Sequence, residues 1–103
     1  MSEHSPNIDA SRRAEDALIG PCIVRLALKQ GFTLLDLQEG ANLSEEYVGG
    51  MREGNREVSL WAIARCARLL GLPHAPPSGI QEPELSIVVA EIRQHLLNLA
   101  GSI

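Results

Sequence analysis

Aromatic residues are scarce in this chain of 103 residues, which contains one Trp, one Tyr and one Phe. A core must therefore be built from the aliphatic residues that supply most of the 45% apolar content. β-Sandwiches rely on aromatic and β-branched residues, whereas helix bundles pack well with Leu, Ile, Val and Ala. The composition favours an all-α protein, and the length fits one domain.

Cysteine, histidine and long apolar runs are also scarce. Cys22 and Cys66 are too few for a disulfide framework and lie among apolar neighbours, which predicts reduced, buried side chains. The three histidines lack the spacing of a metal site, so we expect no metal and no cofactor. No carboxylate pair, Ser-His-Asp set or Cys-His set has supporting context, so we expect no enzymatic activity. Without a targeting signal or an apolar stretch of membrane length, a cytoplasmic location is expected.

The chain lacks the excess of basic residues that DNA-binding modules usually carry. Its formal net charge is -4. Residues 22–72 hold six basic and six acidic side chains, so the excess acidity lies in the two ends of the chain. Affinity for DNA comes largely from the neutralisation of phosphates. The charge balance therefore leaves DNA binding open without supporting it.

Residues that start and stop helices divide the chain into segments. A polar tail, residues 1–8, precedes a short helix that is expected to begin near Asp9 or Ser11 and to break at Gly20-Pro21. Four helices are then expected within residues 22–72. Their predicted boundaries are Pro21 and Gly31, Thr33 and Asn42, Ser44 and Gly54, and Ser59 and Gly71, with Asp36 completing a capping box after Thr33.

A proline-rich linker, residues 73–83, precedes a C-terminal helix in residues 84–103. Apolar residues recur along this helix at steps of three or four, which is typical of a core or of a coiled-coil seam. Ile87, Val89 and Leu97 lie off that seam, so one contact would not bury all the apolar surface. Either a second subunit covers the remainder, or both faces pack on the same domain. The residues expected at a homodimer interface are Leu85, Val88, Val89, Ile92, Leu96 and Leu99.

The second and third of the four central helices are separated only by the turn Asn42-Leu43-Ser44. This order is the helix-turn-helix arrangement, in which the second helix of the pair lies in the major groove of DNA. Residues on both sides of the turn follow a known pattern: Gly31-Phe32-Thr33, Leu37, Ala41, Leu43-Ser44, Tyr47-Val48, Met51, Gly54-Asn55-Arg56, Val58-Ser59-Leu60, Ala67 and Leu70-Gly71. In these positions residues 24–72 resemble the XRE family, which includes Cro and lambda repressor.

The resemblance implies a lambda-repressor-like helix-turn-helix domain in residues 22–72 and a transcriptional regulator that binds duplex DNA as a dimer. Residues 44–53 correspond to the recognition helix. Arg12 and Arg13 are candidates for an N-terminal arm that also contacts DNA. The expected DNA-binding residues are Thr33, Ser44, Glu45, Glu46, Tyr47, Arg52, Asn55 and Arg56.

The chain departs from the family pattern at positions that face DNA. Leu34 stands where the family often has a Gln that braces a phosphate contact. The helix of residues 44–53 presents two glutamates and two glycines where family members present side chains that read bases. The glutamates either repel phosphates or only stabilise the helix start. These departures support an alternative function, a protein-interaction module that binds a partner such as a transcription factor, with little or no DNA binding.

Overall fold

A computed structural model of the chain describes residues 6–77 and 79–101, with side chains from residue 14 onward except residue 16. This part of the chain contains five helices and no strand. The helices are α1 (Pro6–Lys29), α2 (Leu34–Ala41), α3 (Glu45–Glu53), α4 (Leu60–Leu70) and α5 (Glu84–Ala100). The prediction of an all-α protein is confirmed.

The boundaries of α2, α3 and α4 follow from local capping. The Thr33 hydroxyl accepts the Asp36 N–H at 3.0 Å, and the Asp36 carboxylate accepts the Thr33 N–H at 2.9 Å. Asn42 ends α2 in the left-handed conformation, with φ of 55°. Ser44 and Ser59 cap α3 and α4 with their hydroxyl oxygens. These predicted caps are confirmed, because a cap depends on residues within one turn of it.

The helix break predicted at Gly20-Pro21 is wrong. Helix α1 continues through Pro21. Proline has no N–H and cannot donate to the carbonyl of Ala17, one turn earlier. Fully buried residues stand on both sides of it, among them Ile19 and Ile23. Their packing keeps the helix continuous despite the missing hydrogen bond.

Helix α1 also corrects the prediction for the first residues of the chain. Residues 6–8 were expected in a flexible tail, but they are helical; residues 1–5 lie outside the described part of the chain. Arg12 and Arg13 lie within α1, as expected of the short helix in this segment; their side chains lie outside the described part of the chain, so their contact with DNA as an N-terminal arm stays a prediction. Once a helix is nucleated, each added residue forms a hydrogen bond at little further cost, so α1 extends into a polar sequence.

The core is aliphatic and is enclosed by all five helices. Helix α5 packs on α1 and α4, while α2 and α3 pack on each other and on α1. Cys22 and Cys66 are free and buried in this core, which confirms the prediction of reduced, buried cysteines. Burial raises the pKa of both thiols, that of Cys66 to about 12. The Cys22 thiol also approaches the carbonyl oxygen of Leu96 at 3.5 Å.

Helix α5 closes the core of its own chain. Four of the six residues expected at a dimer interface are fully buried within the single chain, namely Leu85, Val89, Ile92 and Leu96. The interface prediction is wrong for these four, because α1 and α4 already cover them. Val88 and Leu99 are half-buried against the same core. The linker allows this packing by folding back on α4, where the Arg68 guanidinium donates to the Pro76 carbonyl at 3.2 Å.

Helices α1 and α3 approach so closely at Gly20 that a side chain there would collide with backbone. A Cβ at Gly20 would lie 2.6 Å from the carbonyl oxygen of Met51 and 3.0 Å from its Cα. We expect Gly20→Ala to push the helices apart and to lower the free energy of unfolding by about 1–3 kcal/mol. Urea denaturation followed by circular dichroism measures this change.

The matched control for this substitution is Gly49→Ala in α3. A Cβ at Gly49 meets nothing within 4 Å. Alanine should therefore raise the free energy of unfolding by up to about 1 kcal/mol through its higher helix propensity. If Gly20→Ala and Gly49→Ala behave alike, the close approach of α1 and α3 is contradicted.

The position of α5 is tested by two isoleucines on that helix. Ile92 is fully buried, so Ile92→Ala should lower the free energy of unfolding by about 2–4 kcal/mol. This loss should not depend on protein concentration, because the burial lies within one chain. Ile87 is 65% exposed, and Ile87→Ala should change stability by less than about 0.5 kcal/mol. Denaturation at two protein concentrations measures both; a midpoint that rises with concentration would instead place Ile92 between chains.

Candidate nucleic-acid interface

The short turn at residues 42–44 joins two helices, α2 and α3, that are each anchored by a buried face. Leu37 and Ala41 are the buried residues of α2, and Val48 and Met51 are those of α3. These side chains fix the pair on the rest of the chain, since α2 packs on α4 and α3 packs on α1. The opposite face of α3 is left exposed to solvent.

Two of the residues predicted to bind DNA serve as helix caps. The Thr33 and Ser44 oxygens accept backbone N–H groups, so their acceptor function is engaged within the chain. Both residues are exposed, and each hydroxyl retains its own proton as a donor. A hydroxyl of this kind at a helix N-terminus is suited to an anion such as a phosphate.

The exposed face of α3 is acidic. Glu45 and Glu46 lie in its first turn, and Arg52 and Glu53 lie in its last. All four side chains are exposed, giving three carboxylates and one guanidinium. Negative charge in the first turn stabilises the helix through its dipole. The same charge repels phosphates, so Arg52 and cations outside the helix must hold any DNA near this face.

Arg56 follows α3 and folds back onto it. Its guanidinium carbon lies 3.8 Å from the centroid of the Tyr47 ring, which is a cation–π contact. Its Nε donates to the carbonyl of Glu57 at 3.3 Å. A Cβ at Gly50 would lie 2.9 Å from the Arg56 Cδ, so glycine provides the space for this side chain. Asn55, the neighbouring predicted contact, donates instead to the Glu53 carboxylate at 3.1 Å.

The two adjacent glycines of α3 therefore differ in function. Gly50 accommodates the stem of Arg56, whereas Gly49 faces open space. The sequence did not predict this difference, because Arg56 lies beyond the helix end and its direction depends on the turn at Gly54. The Tyr47 ring over which Arg56 lies was the available signal, since aromatic rings attract guanidinium groups.

A cleft with a volume of about 560 Å³ adjoins Tyr47 and Arg56. It lies between Tyr47 of α3, the loop that follows α3, the start of α4 and one face of α5. The sequence did not predict this cleft, because Ser86, Ala90 and Arg93 of α5 come from a segment far along the chain. The residues that line the cleft are Tyr47, Arg56, Glu57, Val58, Ser59, Leu60, Ser86, Ala90 and Arg93.

Tyr47 connects α3 to the start of α4, because its hydroxyl oxygen accepts the Ser59 N–H at 2.9 Å. Tyr47→Phe removes this acceptor and retains the ring that Arg56 contacts. We expect the free energy of unfolding to fall by about 0.5–1.5 kcal/mol and the Ser59 amide to exchange its hydrogen faster. Hydrogen exchange followed by NMR measures both effects. The Ala62 amide, which donates to the Ser59 hydroxyl, is the control; an unchanged Ser59 amide would contradict the bond.

Two further observations concern metal-binding groups and membrane spans in the described residues. Among the described residues, no group of three or more His, Cys, Asp or Glu side chains is placed to hold a metal ion. In the same part of the chain no single helix is long and apolar enough to span a membrane; the end of α1 and α2 meet that criterion only as a pair bent by 109°.

No protein-family model, curated protein or solved structure matches the chain. Its function must therefore be inferred from the geometry of α2 and α3 and from the charges around them.

Proposed function

We propose that the chain is a DNA-binding transcriptional regulator whose helix α3 lies in the major groove of duplex DNA. The observation that supports this function is the arrangement of α2 and α3. Two capped helices are joined by a three-residue turn, anchored by their buried faces, and open to solvent on the outer face of α3. The major groove admits one α-helix, and rigid support of that helix is what direct contact with base edges requires.

Arginines at the end of α3 supply the phosphate contacts in this proposal. Arg52 is exposed in the last turn of α3. Arg56 is oriented by the Tyr47 ring, and its terminal N–H groups suit the oxygens of a phosphate. The N-terminus of α2, capped by Thr33, offers further donors to the DNA backbone.

The acidic start of α3 defines which bases this helix can contact. A glutamate in the major groove accepts a hydrogen bond from the N4 amino group of cytosine. Glu45 and Glu46 lie in the first turn of α3, the part of a recognition helix that meets base edges. We therefore propose that the preferred DNA site contains cytosine opposite this turn. Action as a dimer stays a prediction. Most of the residues expected at the dimer interface are buried in the core of the single chain, so they offer no surface to a second subunit.

Titration of the full chain with duplex DNA at two salt concentrations tests the proposal. A pool of random duplexes should bind at low salt, and log affinity should fall linearly with log salt concentration. Arg52→Ala and Arg56→Ala should each weaken binding on every sequence and lower that slope by about 1. Arg25→Ala is the matched control, because Arg25 is an exposed arginine on α1 and outside the helix pair.

The results that would contradict the proposal are specific. Absence of binding by the unmodified chain at low salt would remove DNA as its ligand. Equal losses in Arg25→Ala and Arg56→Ala would show that overall charge, and not the end of α3, governs binding. Selection of bound duplexes from the random pool should enrich cytosine, and an unenriched pool would remove the role of Glu45 and Glu46.

A second function is favoured by the charge of the outer face of α3. Three exposed carboxylates and one guanidinium would attract a basic protein surface more readily than a polyanion. Leu35 of α2 is 56% exposed and adds apolar contact area. In this alternative the chain is a protein-interaction module whose partner is a protein such as a transcription factor. Failure to bind duplex DNA at low salt would favour this second function.

A further inference from the structure

The lining of the cleft beside Tyr47 combines apolar and polar side chains. The Tyr47 ring, Val58, Leu60 and Ala90 contribute apolar atoms. The hydroxyls of the serine side chains and the guanidiniums of the arginines in the lining contribute hydrogen-bond donors. Small-molecule sites commonly have volumes of about 300–1,000 Å³, with apolar walls and a few polar groups that converge. The cleft, at about 560 Å³, lies within that range of volumes and has both kinds of lining group.

The start of α4 gives the cleft a preference for negative charge. Ser59 caps α4 and Leu60 is its first residue, and both line the cleft. The first N–H groups of a helix have no partner within the helix, and the helix dipole places positive potential there. The Ser59 oxygen already accepts the Ala62 N–H, so this hydroxyl retains its proton for a ligand.

Guanidinium groups reinforce this preference from two other elements. Arg56 reaches the cleft from the end of α3, held by the Tyr47 ring. Arg93 reaches it from α5 and is held by an ion pair with Glu15 of α1 at 2.9 Å. Glu57 also lines the cleft and Glu15 pairs with Arg93, so the formal side-chain charges balance. The preference for an anion therefore comes from the donors of Arg56 and of the start of α4, and the cleft fits one anionic group and not a highly charged ligand.

We propose that this cleft binds a small organic anion, in which a carboxylate or phosphate group is joined to an apolar body. The anionic group contacts the start of α4 and Arg56, and the apolar body packs against Val58, Leu60 and Ala90. This site shares Arg56 with the proposed phosphate contacts, but the rest of it lies beside α5 and not on the outer face of α3 that is proposed to meet base edges. The inference does not depend on DNA binding, and its test contains no DNA.

The test uses phenyl phosphate and inorganic phosphate as probes of the full chain at constant ionic strength. Two-dimensional ¹H–¹⁵N NMR spectra should show saturable shifts of the Ser59 and Leu60 amides and of the Arg56 Nε–H. Phenyl phosphate should bind at least about fivefold more tightly than inorganic phosphate, because its ring buries apolar surface. Shifts that do not saturate, or equal affinities for the two probes, would overturn the proposal.

Substitutions on α5 locate the site. Ala90 is exposed and lines the cleft, and Ala90→Glu places a carboxylate there on a helix that tolerates glutamate. The affinity for phenyl phosphate should fall by more than about tenfold, because like charges would be brought together. Gln94→Glu adds the same charge at an exposed position of α5 outside the lining and should change affinity less than about twofold.

A substitution in the loop after α3 tests the lining of the cleft without altering α5. Arg56 is exposed, so Arg56→Gln should leave the circular dichroism spectrum and the unfolding midpoint close to those of the unmodified chain. Its affinity for phenyl phosphate should fall by about fivefold or more, because one charged donor is lost. Unchanged affinity in both Arg56→Gln and Ala90→Glu would show that the anion binds elsewhere.

Discussion

The close contact between α1 and α3 is the constraint on which the rest of the structure depends. Gly20 faces the backbone of Met51, and a Cβ at Gly54 would lie 2.9 Å from the carbonyl oxygen of Ala17. Gly54 also adopts a positive φ of 73°, so glycine is required there for both reasons. The backbone of α1 thus contacts the backbone of α3 and of the turn that ends it at two points, with no flexible side chain between them. The orientation of α3 is therefore set by α1, on which α2 and α5 also pack.

This constraint extends to the candidate interface. Because α3 is held against α1, its opposite face is the one presented to solvent, with Arg52 near its end. The turn at Gly54 directs the chain so that Arg56 returns over Gly50 and Tyr47. The packing of α3 on α1 thus positions both the candidate DNA contacts and the lining of the cleft.

The sequence predicted the parts of the fold that depend on neighbouring residues. The capping box at Thr33, the left-handed Asn42 and the cap at Ser59 are each decided within one helical turn. The continuation of α1 through Pro21 was not predictable in this way. It depends on burial against residues that are distant in the sequence, and this burial outweighs the hydrogen bond that is missing at Pro21. The burial of α5 and the cleft beside Tyr47 likewise depend on which helices meet in space. Periodicity shows that a helix face is apolar, but not which surface covers it.

The contact of Arg56 with the Tyr47 ring has a consequence for conformational entropy. An arginine side chain on a surface normally samples many rotamers, and ordering it on binding costs on the order of 2 kcal/mol. Stacking on the ring and the hydrogen bond to the Glu57 carbonyl restrict Arg56 before any anion arrives. Much of this conformational entropy is therefore lost when the chain folds, before an anion binds. An anion that binds this guanidinium therefore binds a side chain that is already ordered. A lysine at this position would not be ordered in the same way, because it lacks the planar group that stacks on the ring.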